Sequence, residues 1–169
     1  NPYQTLVEAI IYQQLSEASA TAITKKFLKL YKKFPTPKQV VNTTDKKLRD
    51  SGISGTKINY IKGLSKKIVQ KEIDFRKISK LNNEQVIEEL TKIKGIGNWT
   101  AQIYLMFCLQ RKDILPVDDL GIKKGIRDLF SLKELPDPMT VEKYSARWKP
   151  NRSIACWYIW KNQRINSIG

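Results

Sequence analysis

Two aspartates, Asp118 and Asp119, stand side by side in a chain with 16 acidic residues against 31 lysines and arginines. They follow Ile114-Leu115-Pro116-Val117, which is extended because the residue before a proline avoids the helical region. They open a helix marked by Ile122, Ile126, Leu129 and Phe130. Aspartate N-caps well. Neighbours at a helix start point in different directions, so the two carboxylates are not placed to act as a retaining pair. One is expected to cap, which leaves the other for another job. A second constellation lies upstream, in Lys92-Ile93-Lys94-Gly95-Ile96-Gly97. Its glycines interrupt the helical spacing of Val86, Ile87 and Leu90, and Trp99 restarts it as a helix apolar on nearly every face. Such glycines turn the chain sharply and let another molecule come close. The first N–H groups of the next helix then form a seat for phosphate, with Lys92 and Lys94 beside it. Alone, a G-x-G is more often a plain helix–helix connection.

The composition narrows the chemistry. A net charge of +15 points to a polyanion, nucleic acid ahead of an anionic membrane. A lysine-rich solvated surface is the competing reading. There is no histidine, and the two cysteines, Cys108 and Cys156, lie far apart in apolar stretches. Zinc sites, iron–sulfur clusters and histidine triads are thereby removed. The cysteines read as reduced core residues of an intracellular protein. No apolar run approaches the roughly 18 residues of a membrane span, and no signal peptide is visible. The chain opens at Asn1 without a methionine, which suggests a fragment or a trimmed N-terminus.

The elements that position these residues all read as helices. Asn1-Pro2 starts the first, with Leu6, Val7, Ile10 and Ile11 on one face. Tyr12-Gln13-Gln14-Leu15 follows, either a plain turn or side chains aimed at a ligand. Ser16 caps a helix reaching about Tyr31. Pro35-Thr36-Pro37 and Thr44-Asp45 start short ones. Gly52-Ile53-Ser54-Gly55 is a second glycine hairpin, opening a helix through Ile58, Ile61, Leu64 and Ile68. Lys57, Lys62, Lys66, Lys67 and Lys71 are assigned to its other faces. Asn82 caps the helix before Gly95, Thr140 caps one through Tyr144 and Trp148, and Pro150 starts the last. No segment alternates with period two for long, so an all-α domain over residues 1–169 with about ten short helices is predicted.

At this point Gly95-Ile96-Gly97-Asn98-Trp99-Thr100-Ala101 and Pro116-Val117-Asp118-Asp119-Leu120-Gly121 resemble the helix-hairpin-helix superfamily of base-excision DNA glycosylases. Ile10-Ile11-Tyr12-Gln13-Gln14-Leu15-Ser16 is similar to the first-lobe loop of that family. Gly52-Ile53-Ser54 with Lys57 and Tyr60-Ile61 resembles its second hairpin. Arg147-Trp148-Lys149-Pro150-Asn151-Arg152-Ser153 with Trp157-Tyr158-Ile159-Trp160 looks like the C-terminal signature of the 3-methyladenine DNA glycosylase II branch. The five motifs span essentially the whole chain in the family's order.

The resemblance implies two interleaved helical lobes around a cleft, and hydrolysis of the N-glycosidic bond of an alkylated purine flipped out of duplex DNA. It implies Asp119 as the catalytic acid, with Asp118 the runner-up. Trp99, Tyr104 and Trp160 would form the base pocket, while Trp157 reads as core. Gly95, Gly97, Lys92 and Lys94 would hold phosphates, and Gln14 would fill the gap left by the flipped nucleotide. No cofactor is implied beyond a structural monovalent cation at the hairpin carbonyls. The expected partner is damaged double-stranded DNA, bound by a monomer. Bifunctional relatives carry a lysine nucleophile near the start of the post-hairpin helix, where this chain has Trp99, so a monofunctional enzyme is expected. Asn98 stands where the family often has a basic residue. Family members with a small N-terminal sheet domain carry sequence that this chain lacks. Two alternatives stay open: another lesion (oxidised purine, or uracil and thymine in mismatches), and a non-catalytic DNA-binding module.

Overall fold

The structure, a computed structural model, describes residues 1–166, with side chains to Gln163. Among these residues it is all-helical, and the chain divides between Tyr104 and Leu105 into two compact units. The first unit holds α1 (Pro2–Tyr12), α2 (Glu17–Lys29), α3 (Pro37–Asn42), α4 (Asp45–Asp50), α5 (Gly55–Val69), α6 (Phe75–Ile78), α7 (Asn83–Thr91) and most of α8 (Asn98–Phe107). Most of these starts are dictated locally. Asn1, Ser16, Thr36, Thr44, Ser54 and Asn82 each turn a side-chain oxygen onto backbone N–H groups of the first turn. Thr36 and Asn82 complete capping boxes with Gln39 and Gln85. Each cap contributes about 1 kcal/mol.

Helices this short are marginal alone and depend on packing. In the first unit α1 packs on α2 and α5, and α3 and α4 also pack on α5. Leu6, Val7, Ile10 and Ile11 of α1 are buried with Phe27, Val40, Leu48, Ile58, Ile61 and Leu64. Farther along, Val86 and Leu90 of α7, Ile93 and Ile96 of the hairpin, and Ala101 and Tyr104 of α8 are buried.

The second unit holds α9 (Leu120–Leu129), α10 (Pro138–Ser145), a 3-10 turn (Ala146–Trp148) and α11 (Arg152–Asn166). Helix α11 lies on α9 at close range: a Cβ at Gly125 would stand 2.1 Å from Ile159 Cγ2. Three expectations are corrected. Asp137, not Thr140, caps α10, its Oδ1 accepting the Thr140 N–H at 2.7 Å. The expected helix through Trp148 ends at Ser145 and gives way to the 3-10 turn, and the four-residue α6 is too short for a period to register in the sequence. Trp157 is not core: it is 44 % exposed, edge-on to Tyr158, with the Lys161 ammonium 4.9 Å from its ring centre. Both cysteines are free thiols. Burial, then the Asp119 charge, pushes Cys156 up to about 12, so it stays a neutral core residue. Among the described residues no helix is long and apolar enough to cross a membrane.

Candidate active site and nucleic-acid interface

The acid pair is presented by a tight turn. Val117 and Asp118 occupy its middle, and the Asp119 N–H closes it on Pro116 O at 3.0 Å. Asp119 then caps α9, Oδ1 accepting the Ile122 N–H at 2.8 Å. The same oxygen accepts the Trp160 indole N–H at 2.9 Å. Capping therefore fixes this carboxylate without consuming it, since an ionised carboxylate offers about four acceptor positions. The expectation that one aspartate caps is met by Asp119, and capping does not by itself bar that residue from a second role. Asp118 is the outlying one: its side chain is 80 % exposed and faces Lys123 at 3.6 Å.

Two residues that the sequence reading left without a role complete this cluster. A Cβ at Gly121 would stand 2.9 Å from Trp160 Cδ1 and 3.0 Å from Asp119 Oδ1, so only glycine admits the indole. Phe107, 49 % exposed at the end of α8, stacks on Trp160 with ring centroids 6.1 Å apart. The glycine was visible in the sequence as the last residue of the acid motif. Nothing in the sequence marked Phe107.

The C-terminal signature acts as a clamp on the segment leading to the acid. Arg152 grips Asp113 with two donors, Nε to Oδ1 at 2.6 Å and Nη2 to Oδ2 at 2.9 Å, and reaches Glu142 at 2.7 Å. This guanidinium holds the Asp113 carboxyl below its ordinary range. Ser153 Oγ donates to Arg111 O at 2.7 Å and accepts from Ile114 N at 2.9 Å. Residues 111–114 are thus tied to the start of α11 just ahead of the acid turn. Arg147 and Trp148 pack on Phe130 at the end of α9.

In the first unit, the hairpin after α7 is pinned by buried Ile93 and Ile96, and Gly97 O opens α8 by accepting the Ala101 N–H at 3.0 Å. Its glycines have different reasons. Gly95 has φ +92°, and a Cβ there would stand 2.1 Å from Tyr60 Cγ, so the fold itself demands glycine. Gly97 has an ordinary φ and nothing within 4 Å of its missing Cβ. That side is open to an incoming molecule. Lys94 is exposed, as is Lys92, whose charge is engaged by Glu89 at 2.6 Å and Glu88 at 3.8 Å.

Gln13 ties the turn after α1 to this hairpin, its Nε2 donating to Gly95 O at 2.9 Å and Thr100 Oγ1 at 2.8 Å. Gln14 next to it is exposed and left-handed, φ 53°. Lys57, assigned to one of the other faces of α5, is half-buried. Its Nζ donates to Ile11 O at 2.7 Å and Gln13 O at 2.8 Å, and burial lowers its pKa. A helix end with unpaired carbonyls is what drew it in. Trp99 is half-buried in the first turn of α8. Tyr104 lies five residues on, about 140° round the helix. Its ring is 0 % exposed and stacks on Phe75 at 6.1 Å. The structure therefore places Tyr104 in the core and away from the side of α8 that carries Trp99.

Residues 7–151 match the model of the HhH-GPD superfamily base excision DNA repair protein. The chain belongs to that superfamily. The match takes in the Gln13–Gln14 turn, the hairpin and the acid pair, while Trp160 lies beyond it. Similarity to individual members covers that part too. DNA-3-methyladenine glycosylase 1 of Schizosaccharomyces pombe is 37 % identical over 97 % of this chain and 73 % of its own length. The alkylbase DNA glycosidase-like protein mag2 of the same yeast is 36 % identical over 99 % of this chain and 81 % of its own. The structure of the S. pombe 3-methyladenine DNA glycosylase Mag1 in complex with abasic DNA superposes with a TM-score of 0.90, covering 96 % of this chain and 81 % of that one. Within the superfamily, then, the likeness is to alkylation-repair members.

Proposed function

We propose that this protein is a monofunctional DNA glycosylase that excises alkylated purines, 3-methyladenine and 7-methylguanine among them, from duplex DNA. The observation that carries the reading is the Asp119 carboxylate, whose Oδ1 accepts the Ile122 N–H at 2.8 Å and the Trp160 indole N–H at 2.9 Å. A carboxylate fixed in this way stands ready for the positive charge that develops on the sugar as the C1′–N bond breaks. The bonding pair leaves with the base, whose methylation has already made it cationic, so the departing purine is neutral and needs no acid. Water adds to C1′ and gives up a proton, for which Asp119 is the acceptor. Trp99, at the position where bifunctional relatives carry a lysine, has no atom able to form a Schiff base.

Half-buried Trp99 supplies a ring for a cationic base, an attraction of about 0.5–2 kcal/mol. Gly97, Lys94 and, once released by its glutamates, Lys92 serve the phosphates, and Gln14 enters the duplex. The reaction requires water and no cofactor. Ile93 O and Gly95 O each accept one hydrogen bond already, and a carbonyl keeps a second lone pair, which suits a structural monovalent cation. The substrate implies a location inside the cell, with the DNA. We expect Asp119→Asn to cut excision of 7-methylguanine about a hundredfold or more while duplex affinity persists, because asparagine still caps α9. Single-turnover excision and gel shift on one preparation test this. Full activity in the variant, or binding without excision by the wild type on a panel of alkylated, oxidised and mismatched duplexes, returns the protein to another acid or to a binding module.

A further inference from the structure

The turn that carries Gln14 is held by polar contacts that the hydrophobic core does not require. At the end of α1 the carbonyls of Ile11 and Gln13 could be satisfied by water, at little cost. Instead a half-buried ammonium, Lys57 Nζ, takes both at 2.7 and 2.8 Å. The next side chain, Gln13, spends both hydrogens of its amide on the hairpin. One goes to the carbonyl of Gly95, before the turn into α8, and the other to the buried hydroxyl of Thr100, inside its first turn. Gln13 thus bridges the two limbs of the hairpin, and Lys57 fixes the backbone from which it reaches. Gln14 leaves this assembly exposed and in the left-handed region.

We infer that Lys57 and Gln13 are positioning residues that lock the Gln14 turn to the Gly95–Thr100 hairpin, so that seating a phosphate on the hairpin and inserting Gln14 into the duplex are one event. This rests on the reading of the protein as a glycosylase in which Gln14 enters the duplex. Physically, the brace settles the position of Gln14 before DNA arrives, so insertion costs no fresh ordering of the turn. A brace of merely structural value would support stability without linking the two actions.

The test is a double-mutant cycle on the whole chain, using duplexes with a tetrahydrofuran abasic analogue and matching intact duplexes. Gln13→Glu keeps the shape and reverses the donor. Thr100→Val removes one acceptor without touching the turn, and serves if the first variant folds poorly. Lys57→Met keeps the stem and removes the ammonium. Gln14→Gly is at ease at φ 53° and deletes the plug. We expect the preference for the abasic duplex to fall about tenfold in Gln13→Glu, beyond the equal loss that its added negative charge causes on both duplexes, and Gln14→Gly to add nothing in that background. Thr100→Val and Lys57→Met should show the same pattern, more weakly. If Gln14→Gly keeps its full effect in the Gln13→Glu background, or the brace variants weaken both duplexes alike, the coupling is overturned and the glycosylase reading stands. A wild type that excises damaged bases yet binds both duplexes equally overturns the plug and the coupling together. A wild type that neither excises nor discriminates overturns the glycosylase reading itself.

Discussion

The Trp160 indole donates to the Asp119 oxygen that also caps α9, and its ring stacks against Phe107. A base-stacking wall and a support for the acid are separable duties. Trp160→Phe keeps an aromatic ring and loses the N–H together with part of the ring area. A hydrogen bond to a charged group contributes about 1.5–3 kcal/mol, so the variant should lose about tenfold to a hundredfold in excision. The loss should be the same for cationic 7-methylguanine and neutral hypoxanthine, measured in single turnover. A loss confined to the cationic base would return Trp160 to stacking alone. Gly121 belongs to the same unit of action, since a methyl group there would stand 3.0 Å from the Asp119 oxygen and closer still to the indole.

The two glycines of the hairpin make a contrast at the scale of the element. Gly95→Ala forces a side chain onto φ +92° and into the Tyr60 ring, so it should destabilise by about 1–3 kcal/mol from backbone strain alone. Gly97→Ala meets nothing in the protein. It should leave the melting temperature nearly unchanged, within about 0.5 kcal/mol of stability, and still weaken duplex binding. Thermal melts paired with gel shifts on both variants decide whether Gly97 is kept for a partner. The segment before the acid turn makes a different prediction through Asp113. Its pKa is depressed by the Arg152 guanidinium, so its contribution to stability is complete above the unfolded value of about 3.9 and fades as pH falls through the lower folded value. Asp113→Asn should therefore lower the melting temperature at pH 7 and converge on the wild type in strong acid. Parallel curves down to the lowest pH would mean the pair contributes nothing through ionisation.

For the whole molecule, the charge of +15 makes an electrostatic prediction. Affinity for undamaged duplex should fall steeply with salt, with a logarithmic slope of about −0.9 per phosphate neutralised, and show little base-sequence preference. A flat salt titration would remove the electrostatic premise. Features that depend on near neighbours are legible in the chain itself. Caps at Asn1, Ser16, Thr36, Thr44 and Asn82 mark helix starts because each side chain bonds a backbone N–H two or three residues away. The hairpin glycines and the acid turn were legible for the same reason. Long-range packing settles which aspartate is held and by what, because Trp160 lies 41 residues from Asp119. It alone drew Lys57 inward to carbonyls 46 and 44 residues away, and joined Gln13 to a hairpin 82 residues on. Trp157 and Trp160 stand three apart on one helix, yet one is exposed and the other bonds the acid. Helical spacing says which side chains share a face, and burial depends on what the rest of the chain brings against that face.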